Sequence, residues 1–202
     1  QYGHVQRNTH DNTSWNKAKF EVVGHKYADL SDHDYGVALM NDCKYGYFVK
    51  DNILDLNLLR SPNNPDPDAD QGKHQFTYSI FPHEHDLIRS NVIREATCLN
   101  QTPIVFNGVI SDNSIPVKLD GNGLELMVLK KGEKEDYLII RIVETSGRHA
   151  TGSLQLNGTL TECDLMEWND TGSQTNVEGS MPLSFSPFEI KTFKFVTKIT
   201  PS

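Results

Sequence analysis

The sequence predicts an all-β protein that consists of two β-sandwich-like units with at most one short helix. Short apolar runs recur along the 202 residues, and Gly, Asn, Asp and Pro separate them, as is typical of strands joined by turns. A chain of this length is sufficient for one large or two small domains. A boundary is indicated within 102–116, and we therefore place one unit at 1–110 and the other at 111–202.

The first unit is expected to contain strands, a hairpin and the helix. The run 35–40 is apolar throughout, which predicts a strand buried on both faces. Apolar and polar residues alternate in a predicted hairpin over 45–59. The proline-rich segment 61–72 predicts an irregular surface excursion, and strand character resumes over 74–81. A helical spacing of apolar residues predicts the helix over 87–99, with a strand followed by a loop as the alternative.

The second unit is expected to contain strands alone. The apolar runs 124–129 and 137–143 predict a hairpin, because the residues between them are rich in glycine and charge. Further strands are predicted over 152–156, 160–165 and 188–195.

Composition excludes two classes of partner. A net charge of −8 argues against nucleic acid, whose binding needs a basic face. No apolar run approaches the roughly 20 residues that a membrane span needs, so we expect no membrane partner. The first residues, 1–5, show neither an initiator Met nor a signal pattern, and we expect the chain to be part of a longer protein.

The cysteines predict a cytoplasmic protein. Cys43, Cys98 and Cys163 lie far apart without metal-binding spacing, which favours buried, reduced thiols over disulfides or a zinc site. The opposing observation is a set of N-glycosylation triplets, which are used only in a secretory compartment. They begin at Asn12, Asn100, Asn157 and Asn169.

Several short strings, in a fixed order, resemble the C-terminal region of family-38 α-mannosidases. The most specific are LMNDCKYG at 39–46, LLRSP at 58–62 and the segment 20–31 before them. The likeness is to the branch of cytosolic and vacuolar enzymes shared by bacteria and fungi. Supporting strings lie at 2–15, 141–147, 162–167 and 186–192.

The resemblance implies a supporting role in a retaining mannosidase. In that family an aspartate nucleophile, a second carboxylate and a zinc ion cleave terminal mannose, and retention needs two carboxyls about 5 Å apart. All of these groups belong to an N-terminal catalytic domain with no counterpart in this sequence, so we assign no catalytic residue and no metal ligand here and expect zinc in that domain. The chain alone is expected to be inactive, with 1–110 part of a larger supersandwich and 111–202 a small terminal sandwich.

The resemblance also implies partners and residues near the sugar. The expected partners are the protein's own catalytic domain and, through it, a mannose-containing oligosaccharide, with a homo-oligomer also open. One loop from this region of the family approaches the sugar site, and the matching stretches are 41–45 and 60–72. The predicted substrate-proximal residues are Asp42, Lys44, Tyr45, Arg60 and Asp70. The alternative is that Asn41 and Asp42 shape a turn, with Lys44 and Arg60 paired to it electrostatically.

Two other functions stay open at the level of the sequence. Trp15 and Trp168 are able to stack on sugars in a stand-alone carbohydrate-binding module, although burial in a core is the commoner role of tryptophan. His83 and His85 form an HxH pair of a possible metallohydrolase, with a solvated loop as the alternative. A region taken from a larger enzyme is further expected to expose apolar surface that the rest of the enzyme covers.

Overall fold

A computed structural model describes residues 2–105, 107–108, 117–134 and 136–198. The chain divides into two compact units, of which the first is 6–107 and the second combines 1–5 with 108–202. The domain bounds 1–110 and 111–202 stay a prediction. Within the described residues, no helix is long and apolar enough to span a membrane.

The described residues form twelve strands and two helices. In chain order these are α1 (Ser14–Lys17), β1 (Val22–Val23), β2 (Tyr27–Ser31), β3 (Tyr35–Asn41), β4 (Gly46–Lys50), β5 (Ile53–Leu56), β6 (Tyr78–Glu84), α2 (Val92–Asn100), β7 (Lys118–Asp120), β8 (Leu124–Lys131), β9 (Leu138–Glu144), β10 (Ala150–Cys163), β11 (Thr175–Phe185) and β12 (Ile190–Thr197). The all-β class with sandwich-like units is therefore confirmed. The limit of one short helix is wrong, because Thr13 caps the one-turn α1 by accepting a hydrogen bond from the Asn16 amide.

The first unit contains two antiparallel three-stranded sheets, in the orders β1-β4-β5 and β2-β3-β6. The predicted hairpin is confirmed as β4 and β5, which pair from Tyr47 opposite Leu56 to Lys50 opposite Ile53. The predicted strand 74–81 is displaced and runs from Tyr78 to Glu84, beyond Pro82. Pro82 is tolerated because β6 is an edge strand of its sheet.

Helix α2 packs on one face of the sheet β2-β3-β6. Ala38 and Met40 of β3 are buried against Val92 and Ala96 of α2. The helix begins at Val92 rather than at 87, because the carboxylate of Asp86 accepts the Arg89 amide and closes a separate turn first. The two-sided burial expected for 35–40 is wrong: Val37 and Leu39, on the opposite face, are only half-buried.

His83 lies inside β6 and not in a solvated loop. Its Nε2 lies 2.7 Å from Oδ1 of Asp29 on β2, and both side chains are only 4% exposed. Gly36 on the strand between them leaves room for the ring, since a Cβ there would meet His83 Cε1 at 2.4 Å. The pair therefore ties both outer strands of the sheet together across β3.

The second unit is built around the 14-residue strand β10. Strand β11 pairs along one side of it, while β7 and β12 share the other side, and β9 and β8 continue the sheet from β12. The predicted hairpin of 124–129 with 137–143 is confirmed as β8 and β9. The predicted strands 152–156 and 160–165 are one strand, which passes through Gly158. Only glycine fits there, because a Cβ would lie 2.2 Å from the Val196 carbonyl oxygen.

Buried Glu144 organises one end of this unit. Its carboxylate accepts hydrogen bonds from the amides of Ser146 (2.7 Å), Gly147 (2.9 Å) and Phe188 (2.9 Å). Residue 188 has a φ of +57° and is a turn residue, not the start of the predicted strand 188–195. Burial raises the pKa of the Glu144 carboxyl, but the bonds from Ser146, Phe188 and Gly147 outweigh it, and the net pKa lies below the ordinary value of 4.5.

We expect Glu144→Gln to destabilise the second unit by about 2–4 kcal/mol at pH 7, because an amide cannot accept all of these bonds. Since the folded-state pKa is depressed, the carboxylate stabilises the fold above its ordinary pKa and this contribution is lost as the pH falls through the folded-state pKa. The difference in unfolding free energy between Glu144→Gln and the unchanged protein should therefore become smaller in acid. Urea unfolding in a Trp15→Phe background, where Trp168 fluorescence reports the second unit, measures this at pH 7 and pH 3.

The matched control is Glu162→Gln, whose half-exposed carboxylate lies on β10 of the same unit. It should change the unfolding midpoint little at either pH. An equal loss for Glu144→Gln and Glu162→Gln at pH 7 would contradict the role given to Glu144.

Candidate functional site

The first unit carries an open cleft with a volume of about 610 Å³. It lies between the paired strands β1 and β4 on one side and the segment after β5 on the other. Its lining is mixed in charge and rich in hydrogen-bonding groups. The residues that border it are Glu21, Val22, Val23, Lys44, Tyr45, Gly46, Asn57, Leu58, Leu59, Arg60, Pro62, Asp70 and His74.

Buried Asn41 shapes the loop on the β4 side of the cleft. Its Oδ1 accepts hydrogen bonds from the amides of Cys43 (3.0 Å) and Lys44, and its Nδ2 donates to the hydroxyl of Tyr47. Burial raises the pKa of Tyr47 to about 12, so this hydroxyl stays protonated at neutral pH. Asn41 thus fixes the backbone from which Lys44 and Tyr45 project, as expected of an Asx turn.

Glu21 and Asn57 join the two sides of the cleft. Asn57 Nδ2 donates to Glu21 Oε1 at 2.7 Å, and the Asn57 amide donates to the Gly46 carbonyl at 2.9 Å. A Cβ at Gly46 would lie 3.2 Å from Glu21 Oε2 and 3.3 Å from Asn57 Cβ, so a larger residue would crowd this junction.

Asp70 holds the other wall. Its Oδ2 accepts hydrogen bonds from the amides of Ser61 (2.6 Å) and Arg60 (3.2 Å), across the irregular segment. Ser61 has a φ of +46°, a conformation that these bonds help to maintain. His74 Nε2 donates to the Asp70 carbonyl at 2.8 Å, which places the imidazole at the cleft as well.

The structure brings four of the five predicted residues to the cleft: Lys44, Tyr45, Arg60 and Asp70 border it. Asp42 does not. Its carboxylate accepts the Thr77 amide at 3.0 Å, and hydrogen bonds from the Cys43 thiol and from that amide lower its pKa. The Lys44 ammonium lies 5.0 Å from the ring centre of Phe76.

Sequence reasoning missed Glu21, Asn57 and His74 as cleft residues. Glu21 lies in the string 20–31, but its position at the cleft depends on the pairing of β1 with β4, which two residues of strand do not reveal. A ring pair is a further feature of this wall: the rings of His25 and Tyr45 lie 4.8 Å apart. Together the carboxylates, cations, amide and aromatic ring offer the donors, acceptors and stacking face that a polyol needs.

The other candidate clusters are not assembled. Within the described ranges, no group of three or more His, Cys, Asp or Glu side chains is arranged to hold a metal ion. His83 and His85 do not share a face, because His85 leaves the strand with a φ of +67°. Trp15 and Trp168 are exposed by 80% and 60%, so the expectation of buried tryptophans is wrong. All three cysteines are free, but only Cys163 is buried, which corrects the expectation that all three are.

Comparison with known proteins identifies the family. The family model described as "Glycosyl hydrolases family 38 C-terminal domain" matches residues 1–68, and the one described as "Glycosyl hydrolases family 38 C-terminal beta sandwich domain" matches residues 123–193. The chain therefore belongs to glycosyl hydrolase family 38, as part of its C-terminal region.

Curated relatives are similar along almost the whole chain. Alpha-mannosidase G of Dictyostelium discoideum is 37% identical over 98% of the chain, and alpha-mannosidase 2C1 of Homo sapiens is 37% identical over all of it. The alpha-mannosidase of Saccharomyces cerevisiae is 34% identical over 96%. The chain spans only about a fifth of the length of these relatives.

A solved structure has the same fold. The crystal structure of an alpha-mannosidase from Enterococcus faecalis V583 superimposes with a TM-score of 0.67 at 18% identity. The superposition includes 96% of this chain and 23% of the Enterococcus faecalis chain.

We expect Asp70→Ala to release the wall formed by residues 60 and 61. Their amides lose the shared acceptor, so their hydrogen exchange should accelerate at least tenfold. Exchange measured by mass spectrometry on peptides that span 58–62 checks this. Asp66→Ala is the control in the same segment, since Asp66 bonds the Asp68 amide instead. Unchanged exchange in Asp70→Ala would remove Asp70 from this role.

Proposed function

We propose that the chain is the non-catalytic C-terminal region of a zinc-dependent, retaining α-mannosidase that hydrolyses terminal α-mannosyl residues. Its β units support a catalytic domain that lies outside these residues. The relatives are named as α-mannosidases, and the chain aligns with only about a fifth of each. That share leaves room for a separate catalytic domain in a protein of their length.

The observation that carries the proposal is an apolar sheet face. Residues paired across antiparallel strands share a face, so the side of the sheet β2-β3-β6 opposite α2 is formed by one set of side chains, here called the open face. Tyr35, Tyr78 and Ile80 are 55%, 55% and 65% exposed. The open face comprises Ala28, Leu30, Tyr35, Val37, Leu39, Tyr78, Ile80 and Pro82, with exposed Glu84 opposite Tyr35 and buried Asn41 opposite Tyr78 at its two ends.

An exposed sheet face of this composition favours a partner. A soluble antiparallel sheet normally alternates between an apolar inner face and a polar outer one. Here the side that faces away from α2 is also mainly apolar, with Glu84 and Asn41 confined to its ends. Contiguous apolar patches of this kind mark interaction surfaces. The exposed surface expected for a region of a larger enzyme is thus present.

We assign no catalytic step to this chain. The described residues do not fit a zinc site, since they hold no suitable group of three ligands. Zinc and the carboxylate pair are proposed for the catalytic domain. The free thiols also favour the cytoplasmic location proposed for the enzyme.

The cleft is proposed to contribute to the sugar site of the assembled enzyme. Lys44 and Arg60 supply donors, Asp70 and Glu21 supply acceptors, and Tyr45 supplies a ring face. Because Asn41 and Asp70 bind backbone amides in the two walls, the backbone that carries Lys44 and Arg60 is held in place before a ligand arrives.

The activity test separates the chain from the longer polypeptide, meaning the natural protein that contains these 202 residues and the proposed catalytic domain. The chain alone, supplied with zinc, should not hydrolyse an aryl α-mannoside, whereas the longer polypeptide should. Turnover by the chain alone, or none by the longer polypeptide, would contradict the proposal.

A variant of the longer polypeptide tests the cleft. Arg60→Ala should raise KM for a mannobiose substrate by about tenfold, which corresponds to the loss of a charged hydrogen bond of about 1.4 kcal/mol. Lys50→Ala is the control, because Lys50 pairs with Asp11 and does not border the cleft. Equal kinetic constants for Arg60→Ala and Lys50→Ala would remove the cleft from the sugar site.

A stand-alone carbohydrate-binding module is the second candidate. The exposure of Trp15 and Trp168 and the polar cleft favour it. It differs from the first in one respect: the chain alone should then bind mannose or mannobiose at millimolar or tighter levels in a calorimetric titration.

A further inference from the structure

The loop between β10 and β11 has an inverted polarity. Leu165, Met166 and Trp168 are 56%, 62% and 60% exposed. The Glu167 side chain between them turns inward and is only 12% exposed. A surface loop normally exposes its charged side chains to water and buries its apolar ones. This reversed arrangement indicates that the outer side of the loop is covered by a partner.

Glu167 anchors the loop to the sheet. Its carboxylate lies 3.0 Å from Arg141 Nη2 on β9 and 3.0 Å from Lys130 Nζ on β8. The same Arg141 also donates to the Leu165 carbonyl at 3.1 Å and, through Nε, to Thr192 on β12 at 3.1 Å. Glu167 adopts a φ of +66°, which is uncommon for a residue with a side chain and is maintained by these bonds.

Asp164 and Asp170 hold the two ends of the loop. The Asp164 carboxylate accepts the Trp168 amide at 2.9 Å and the Asn169 side-chain amide at 2.8 Å. Lys194 on β12 pairs with Asp170 at 2.7 Å. The backbone that carries the three apolar side chains is thus fixed from both ends and from the sheet.

A rigid loop that displays tryptophan and methionine has the composition of a protein contact. Trp and Met are enriched at the centres of protein interfaces, where a preorganised backbone reduces the entropic cost of association. A sugar needs polar groups beside the stacking ring, but the immediate neighbours Leu165 and Met166 are apolar. Lys134, 4.6 Å from the Trp168 ring centre, occupies one approach to that ring.

We propose that Leu165, Met166 and Trp168 form a docking surface for another part of the same polypeptide, outside these 202 residues. We infer this occupant from the length of the relatives. The chain aligns with only about a fifth of each, so about four fifths of a protein of that length would lie outside these residues. The inference rests on the proposed function. It goes beyond it by assigning a contact to the second unit, on a loop separate from the open face.

Methionine oxidation tests the docking surface. Dilute hydrogen peroxide is applied to the 202-residue chain and to the longer polypeptide, and sulfoxide at Met166 is followed by peptide mass spectrometry. Met166 should oxidise at least fivefold more slowly in the longer polypeptide. Met40, which is 4% exposed, is the internal control and should be protected in both proteins.

Equal oxidation rates of Met166 in the two proteins would overturn the inference. So would protection of Met166 in the chain alone that grows with concentration alongside a dimer in light scattering, because a second copy would then be the occupant. The α-mannosidase activity of the longer polypeptide is read separately: turnover with an unprotected Met166 rejects the docking surface alone, and protection without turnover rejects the proposed function alone.

A substitution gives a second readout. Trp168→Ala should lower the thermal midpoint of the longer polypeptide by several degrees and that of the chain by less than one degree. A purely local role of Trp168 would produce the same shift in both proteins and would also overturn the inference.

Discussion

The sheet β2-β3-β6 carries clustered apolar side chains on both of its sides, and this constraint underlies the account of the first unit. A short helix covers one side, where Ala38 and Met40 are buried against Val92 and Ala96. On the other side Ile80 remains 65% exposed. Burial of apolar surface stabilises by about 25 cal/mol per Å², so a face of this kind favours association with a further layer. This face thus supports the proposal that the first unit packs against a further part of the enzyme.

In both units, polar side chains fix loops and turns by accepting hydrogen bonds from backbone amides. Asn41 and Asp70 fix the walls of the cleft, while Glu144 and Asp164 fix turns in the second unit. Each provides a protein acceptor for amides at places where the chain leaves regular structure. These loops are therefore held in one conformation. Asn41, Glu144 and Asp164 are separate from the side chains that the loops display, whereas Asp70 both fixes its wall and borders the cleft.

The sequence predicted the fold class and the hairpins well, because alternation and turn residues are local signals. It did not predict that 152–156 and 160–165 form one strand, since the reason for Gly158 is the approach of Val196 from another strand. The strings that carry the family resemblance include Asn41, Glu144 and Asp164, yet their roles depend on contacts with residues such as Tyr47 and Phe188. Four of the five predicted site residues meet at the cleft, and Asp42 is excluded by its bond to Thr77.

The most direct test of the central claim is a charge placed on the open face. Ile80→Asp should leave the thermal midpoint of the 202-residue chain almost unchanged, because the side chain at position 80 is largely exposed there. In the longer polypeptide the same change should lower the midpoint by several degrees, since it would bury an unpaired carboxylate. An equally small shift in both proteins would show that this face remains in water and would contradict the account.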